Sequence, residues 1–151
     1  LPSLVQNNLL ERALEHLNQH ELEMHELLNY VRLYHCKYLS SHYREAMTPA
    51  LLNHSYQLVK VNPADWEEYG LTPIDLVKNS QSIFYEFFGE SLDANFDYQI
   101  DQQSEEGCWV PRWSWGGAFP ETWQQVESQI KVELTLKFLI QLKSFNYLED
   151  E

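Results

Sequence analysis

Glycine, proline, cysteine and positive charge are all scarce in this chain, and each shortage removes a class of protein. Five Gly and six Pro in 151 residues are too few for a linker-rich or disordered polypeptide, which needs such residues to avoid a packed core. Two cysteines, Cys36 and Cys108, make neither a CxxC nor a disulfide framework, and the expectation is a cytoplasmic protein with two incidental thiols. Whether the two meet is left open by the sequence. Lys and Arg together number 10 against 23 Asp and Glu, a formal charge of -13. So acidic a chain repels phosphate backbones and anionic lipid surfaces, which excludes nucleic acid as an expected partner. No run approaches the roughly 20 apolar residues of a membrane span. The opening "LPSLVQNNLLERALEHL" is amphipathic and charged, unlike a signal peptide. It starts without Met, and the expectation is a fragment or processed piece.

What is present in quantity is apolar and aromatic material, 44% and 14% of the residues, enough for the core of one domain, 1–151. Its spacing is helical almost throughout. A first helix opens at Pro2-Ser3, carries Leu4, Leu9, Leu10, Ala13, Leu14 and Leu17, and fades at residues 18–20. A second, over "ELEMHELLNYVRLYHCKYL", carries Met24, Leu27, Leu28, Val31, Tyr34 and Tyr38 as one stripe. Ser40-Ser41 offers a cap. Thr48-Pro49 then predicts a third helix whose regular part starts near Pro49, since Pro suits a first turn, and ends near Val61. Residues 63–82 read as irregular, packing through Trp66, Tyr69, Leu71 and Ile74. A fourth helix carries Phe84, Phe87, Phe88, Leu92, Phe96 and Ile100, with Gly89 as a possible break. The last starts at Pro120-Glu121 with the stripe Trp123, Val126, Ile130, Leu134, Phe138 and Leu142. No strand pattern is evident. The fold class expected is all-α, a stack of helical hairpins.

Between the last two helices lies "QQSEEGCWVPRWSWGG", residues 102–117, with three of the five Trp. Gln103, Gly107 and Trp109 stand in the pattern Q-x-x-x-G-x-W at a helix end. A Gln amide can serve the unpaired groups there as donor and acceptor. Gly107 admits a positive φ, and burying the Trp109 ring is worth about 1.5–3 kcal/mol. The role expected for these three is structural, fastening one helix to the next. The pattern resembles the QW motif of terpenoid cyclases and protein prenyltransferases. More widely, "WEEYGLTPIDLV", "QQSEEGCWVPRWSWGGAFPETW" and "ELTLKFLIQLKSF" resemble uncharacterised bacterial proteins similar to the prenyltransferase and squalene-oxidase repeat group. The likeness continues back to "ELEMHELLNYVRL". It implies about half of an α/α toroid, the C-terminal part of a larger ring, and brings no reaction with it.

Motifs that would carry chemistry in that superfamily are missing. There is no DxDD to protonate a substrate and no DDxxD for a magnesium-bound diphosphate. Cys108 lacks an Asp two residues before it, where Glu106 stands, so the zinc set of the prenyltransferases is not matched. No metal or cofactor is expected. "HELEMH" invites a metalloprotease reading, but His20 and His25 are five apart, roughly 140° around a helix, not on one face as HExxH requires. His16, His20 and Glu23 share a face yet straddle the break at 18–20. His25, in the stretch the resemblance covers, is the better candidate for a cavity position. Asp93, Asp97 and Asp101 recur every four residues, as paired carboxylates of a glycan-active α/α barrel would. Each follows the apolar stripe by one position, which puts it at the border or in solvent.

The remaining aromatic loop offers ligand candidates. Exposed Trp113 and Trp115 beside Gly116-Gly117 can form a platform for apolar groups, sugars or cations, and Arg112 can bind an anion or stack on a ring. With His25 and Tyr69 they make up the candidate ligand site; no catalytic residue is identified. Three functions are compatible. The first is a non-catalytic toroid segment that binds an apolar or aromatic ligand or a partner protein, with self-association or the other part of the ring as partner. The second is part of a terpenoid cyclase-like enzyme whose catalytic acids lie outside this chain. The third is a glycan-active α/α enzyme. Whether the chain is an enzyme is left undecided.

Overall fold

The computed structural model describes the backbone of residues 3–148 and the side chains of residues 7–148. Pro2 and the end of the terminal "LEDE", expected to fray, lie outside the described residues, as does the Leu4 side chain. Among the described residues the chain is all-helical, without strands. Its helices are α1 (Ser3–Gln19), α2 (Met24–Tyr34), α3 (Ser41–Leu58), the single turn α4 (Pro73–Leu76), α5 (Tyr85–Asp101) and α6 (Pro120–Ser144), with a 3₁₀ turn at Pro63–Asp65. The chain groups into two compact units, the first ending at Val59 and the second beginning at Lys60. The sequence showed no boundary there.

In the first unit α3 packs on both α1 and α2. Leu17, Leu27, Val31, Met47 and Leu51 are buried, which the three- and four-residue spacing anticipates. The imidazole Nε2 of buried His54 donates to the Leu17 carbonyl at 2.9 Å, tying α3 to α1. Tyr30 Oη donates to the Ala13 carbonyl at 3.1 Å, tying α2 to α1. Arg44 closes the far end of α2. Its guanidinium donates to the carbonyls of Tyr34 at 3.0 Å and Cys36 at 2.6 Å, groups left without helical partners where α2 stops.

Two expectations for this unit are corrected. α2 ends at Tyr34, so Tyr38 leaves the stripe and stands exposed beyond it. α3 begins at Ser41, a full two turns before Pro49, which sits inside the helix. Pro49 has no N–H for the Glu45 carbonyl, but both residues are exposed, so water can serve that carbonyl. On the opposite side Met47, Leu51, His54 and Ser55 are buried. The tertiary burial carries the helix past a residue whose local preference is to start one.

The second unit is built around a short polar clasp. Thr72 N–H donates to the Asp75 carboxylate at 3.0 Å, which starts α4. The Ile74 N–H donates to Asn95 Oδ1 of α5 at 3.0 Å. From α6, Gln141 Nε2 donates to the Ile74 carbonyl at 2.7 Å and the Val77 carbonyl at 3.2 Å. Lys137 of α6 reaches Asp75 at 2.9 Å. Around the clasp Ile74, Leu76, Val77, Phe84, Leu92 and Phe96 are fully or almost fully buried. The rings of Phe145 and Tyr147 each stand 4.9 Å from that of Phe96.

Trp66, Leu71 and Ile74 are buried as expected, whereas Tyr69 is 60% exposed. Phe87 and Ile100 are likewise corrected. Both are exposed, and Asn95 and Gln99 are buried on α5 in their stead. Gly89 does not interrupt α5.

Candidate functional site

The loop from α5 to α6 is organised by the three residues of the Q-x-x-x-G-x-W pattern. Gln103 Nε2 donates to the Gly107 carbonyl at 2.9 Å, closing the loop on itself. Gly107 adopts φ +78°, a left-handed conformation that suits glycine. This turn delivers Trp109, which is 3% exposed, between the two helices. Its indole Nε1 donates to the Gln99 carbonyl of α5 at 2.6 Å. Its backbone N–H donates to Thr135 Oγ1 of α6 at 3.2 Å, and its ring lies 5.4 Å from that of Phe138. Trp109 thus bonds to α5 through its side chain and to α6 through its backbone.

That fastening shapes what lies beside it. Thr135 also donates its hydroxyl to the Lys131 carbonyl at 2.7 Å, so its oxygen is occupied and its methyl is what remains to face outward. Cys108 has its thiol 3.2 Å from Ser104 Oγ. Cys108, Lys131, Val132, Thr135, Leu136 and Leu139 together line an open groove of about 440 Å³ along α6. Apart from the Lys131 ammonium, its walls are apolar. The groove continues into an exposed apolar strip, for Val132 is 68%, Leu136 58%, Leu139 38% and Ile140 60% exposed.

These residues were not singled out in the sequence, although the signal was present. The stripe Trp123, Val126, Ile130, Leu134, Phe138 and Leu142 accounts for one face of α6, and its last two members are buried. Val132, Leu136, Leu139 and Ile140 are then left over on the other. A helix apolar on both faces has more to cover than one core supplies.

The five ligand candidates are not part of this groove. His25 is exposed on α2 of the first unit. Tyr69 and Arg112 belong to the second unit, where an Arg112 guanidinium nitrogen donates to the Trp66 carbonyl. That bond fixes the arginine to the chain and leaves it less free for an anion. Trp113 and Trp115 stand with their ring centroids 5.2 and 5.3 Å from that of Trp123. The three indoles form one cluster; Gly116 and Gly117, next in the chain, are both at positive φ, and Trp113 and Trp115 remain partly exposed.

Elsewhere His16 and His20 stack at 4.6 Å, with His16 Nδ1 3.1 Å from Tyr30 Oη. Burial pushes the Tyr30 phenol above its ordinary pKa, and the Glu26 charge pushes it the same way. Among the described residues no group of three or more His, Cys, Asp or Glu is placed to hold a metal ion. Asp93, Asp97 and Asp101 are all exposed, and Asp93 accepts a hydrogen bond from Tyr147 Oη at 3.3 Å. Among the described residues no helix is long and apolar enough to cross a membrane.

Comparison with known proteins adds no assignment: no family model matches the chain, and neither a curated protein nor a solved structure is similar to it.

Proposed function

We propose that the chain is a non-catalytic binding module that holds a partner protein against the outer face of α6, and that it is an α/α-toroid segment of the terpenoid cyclase-like kind. The observation that carries the binding reading is the apolar groove beside Cys108 and the exposed strip Val132, Leu136, Leu139 and Ile140 that extends it. Soluble chains seldom leave large contiguous apolar patches uncovered, and such patches mark sites of association. The loop supports the same reading, because Trp109 takes the Thr135 hydroxyl oxygen beside the groove and leaves its walls apolar. The toroid reading rests on Gln103, Gly107 and Trp109 and on the succession of helices. A cytoplasmic setting belongs with it, since Cys36 and Cys108 are both free thiols, which reducing compartments preserve.

An apolar fluorescent dye titrated into the protein tests the binding reading. Saturable binding that weakens at least tenfold in Leu136→Glu, with the helical circular dichroism unchanged, is the expected outcome. Dye binding unchanged by that substitution, or no binding, overturns it.

A further inference from the structure

We infer that His16 and His20 form a binding site for a divalent transition-metal ion, with Tyr30 positioning His16. The site belongs to α1 and α2 and rests on nothing in α6.

The turn between the two histidines is intact. The sequence pattern puts a break at residues 18–20, but the His20 N–H donates to the His16 carbonyl at 3.1 Å. The last helical turn of α1 therefore runs from one to the other. Residues four apart on a helix are neighbours, and a His pair at this spacing supplies two of the zinc ligands of HExxH sites. The rings stack 4.6 Å apart at 29°. One ion with a bond of about 2 Å to each imidazole spans that gap as the rings tilt together. Glu23 is engaged elsewhere, for its carboxylate accepts the Glu26 N–H at the start of α2. The remaining coordination positions go to water.

Tyr30 settles which His16 nitrogen is open. Its hydroxyl has one proton and gives it to the Ala13 carbonyl at 3.1 Å, an oxygen that can only accept. In the contact of 3.1 Å between Tyr30 Oη and His16 Nδ1, Nδ1–H is then the donor. Nε2 is left with its lone pair, in the neutral form that ligates metals. Metal-bound histidines are held in this way, the second ring nitrogen donating to a fixed acceptor.

The surroundings favour a cation. His16 and His20 stand at the C-terminal end of α1, the negative pole of its dipole. Residues 13–31 hold Glu15, Glu21, Glu23 and Glu26 and neither Lys nor Arg. Imidazole ligands select nickel, copper or zinc over magnesium and calcium, which take oxygen ligands.

Ni²⁺ titrated into the full chain tests this, followed by the histidine ring signals in NMR, which the paramagnetic ion broadens. His16 and His20 should broaden at the lowest additions, ahead of His25, His35, His42 and His54, and Mg²⁺ should not compete. Calorimetry should show binding weakened about tenfold or more in His20→Ala and in Tyr30→Phe, with the helical circular dichroism unchanged. Ring nitrogen spectra should place the neutral His16 proton on Nδ1 in the parent and lose that preference in Tyr30→Phe. His16 and His20 broadening no earlier than the other four, or binding indifferent to His20→Ala, overturns the site. A His16 protonated on Nε2 in the parent, or an affinity unchanged in Tyr30→Phe, overturns the positioning by Tyr30.

Discussion

Trp109 shows how much a single residue can settle in this chain. Its ring is buried, its indole holds a carbonyl of α5 and its backbone holds a hydroxyl of α6. Trp109→Ala should lower stability by about 3–5 kcal/mol, through lost burial and the cavity it leaves. Trp109→Phe keeps most of the ring but loses the indole bond to the Gln99 carbonyl, which keeps the Gln102 N–H, at about 0.5–1.5 kcal/mol. Urea midpoints of the two variants should fall in that order; unchanged midpoints would remove the fastening role. Asn95→Leu should likewise cost about 1–3 kcal/mol, because the Ile74 N–H loses its acceptor.

The turn of Gln103 and Gly107 and the burial of Trp109 have local reasons that spacing makes legible. Asn95, Gln99, Gln141 and His54 were not legible. They are polar residues on apolar faces, and their partners lie far away in the sequence, as with Gln141 and Ile74. Tyr30 adds a dependence on pH. Its phenol titrates above the ordinary value of 10.0 in the folded chain, so its contribution is complete below that value. It is lost as pH rises through the folded pKa, because the unfolded chain releases that proton first. Alkaline unfolding should be shallower in Tyr30→Phe than in the parent, and an identical profile would contradict the coupling.

Among the elements, the ends of α2 and α3 depart furthest from the sequence pattern. The apolar period continues through Tyr38, yet Arg44 of α3 takes the Tyr34 carbonyl at the end of α2 and the Cys36 carbonyl just beyond it, and the chain turns away before Tyr38. Pro49 favours a helix start, yet the burial of Met47 and Leu51 on either side of it holds α3 in one piece. Both outcomes were decided by packing between elements, which periodicity within one element does not contain. Pro49→Ala should therefore stabilise the fold by about 2 kcal/mol. The helix regains a hydrogen bond and loses a ring clash worth about 3 kcal/mol, while the unfolded chain gains back about 1 kcal/mol of freedom. Thermal denaturation reads the change, and a lower Tm would show that Pro49 serves α3 in some other way. Gly89 of α5 has open space around its Cα, so Gly89→Ala should stabilise by about 0.5–1 kcal/mol.

At the scale of the molecule, the helical class and the five long helices could be read from spacing alone, because apolar residues recur at three and four residues through all of them. The division at Val59–Lys60 could not, since no Gly- or Pro-rich stretch marks it. The outer face of α6 was hidden by the success of its inner stripe. One periodic set of residues explained the helix, and the apolar residues outside that set became conspicuous only once they were found exposed. Cys108 on the groove and Cys36 in the first unit supply a built-in comparison, as both are partly accessible free thiols. Their alkylation rates, measured separately by mass spectrometry as the apolar dye is added, report whether that face is covered. Cys108 should slow as the dye saturates while Cys36 keeps its rate, and Leu136→Glu should abolish the difference. Cys108 reacting at one rate across the whole titration would contradict the reading of the α6 groove as a binding face.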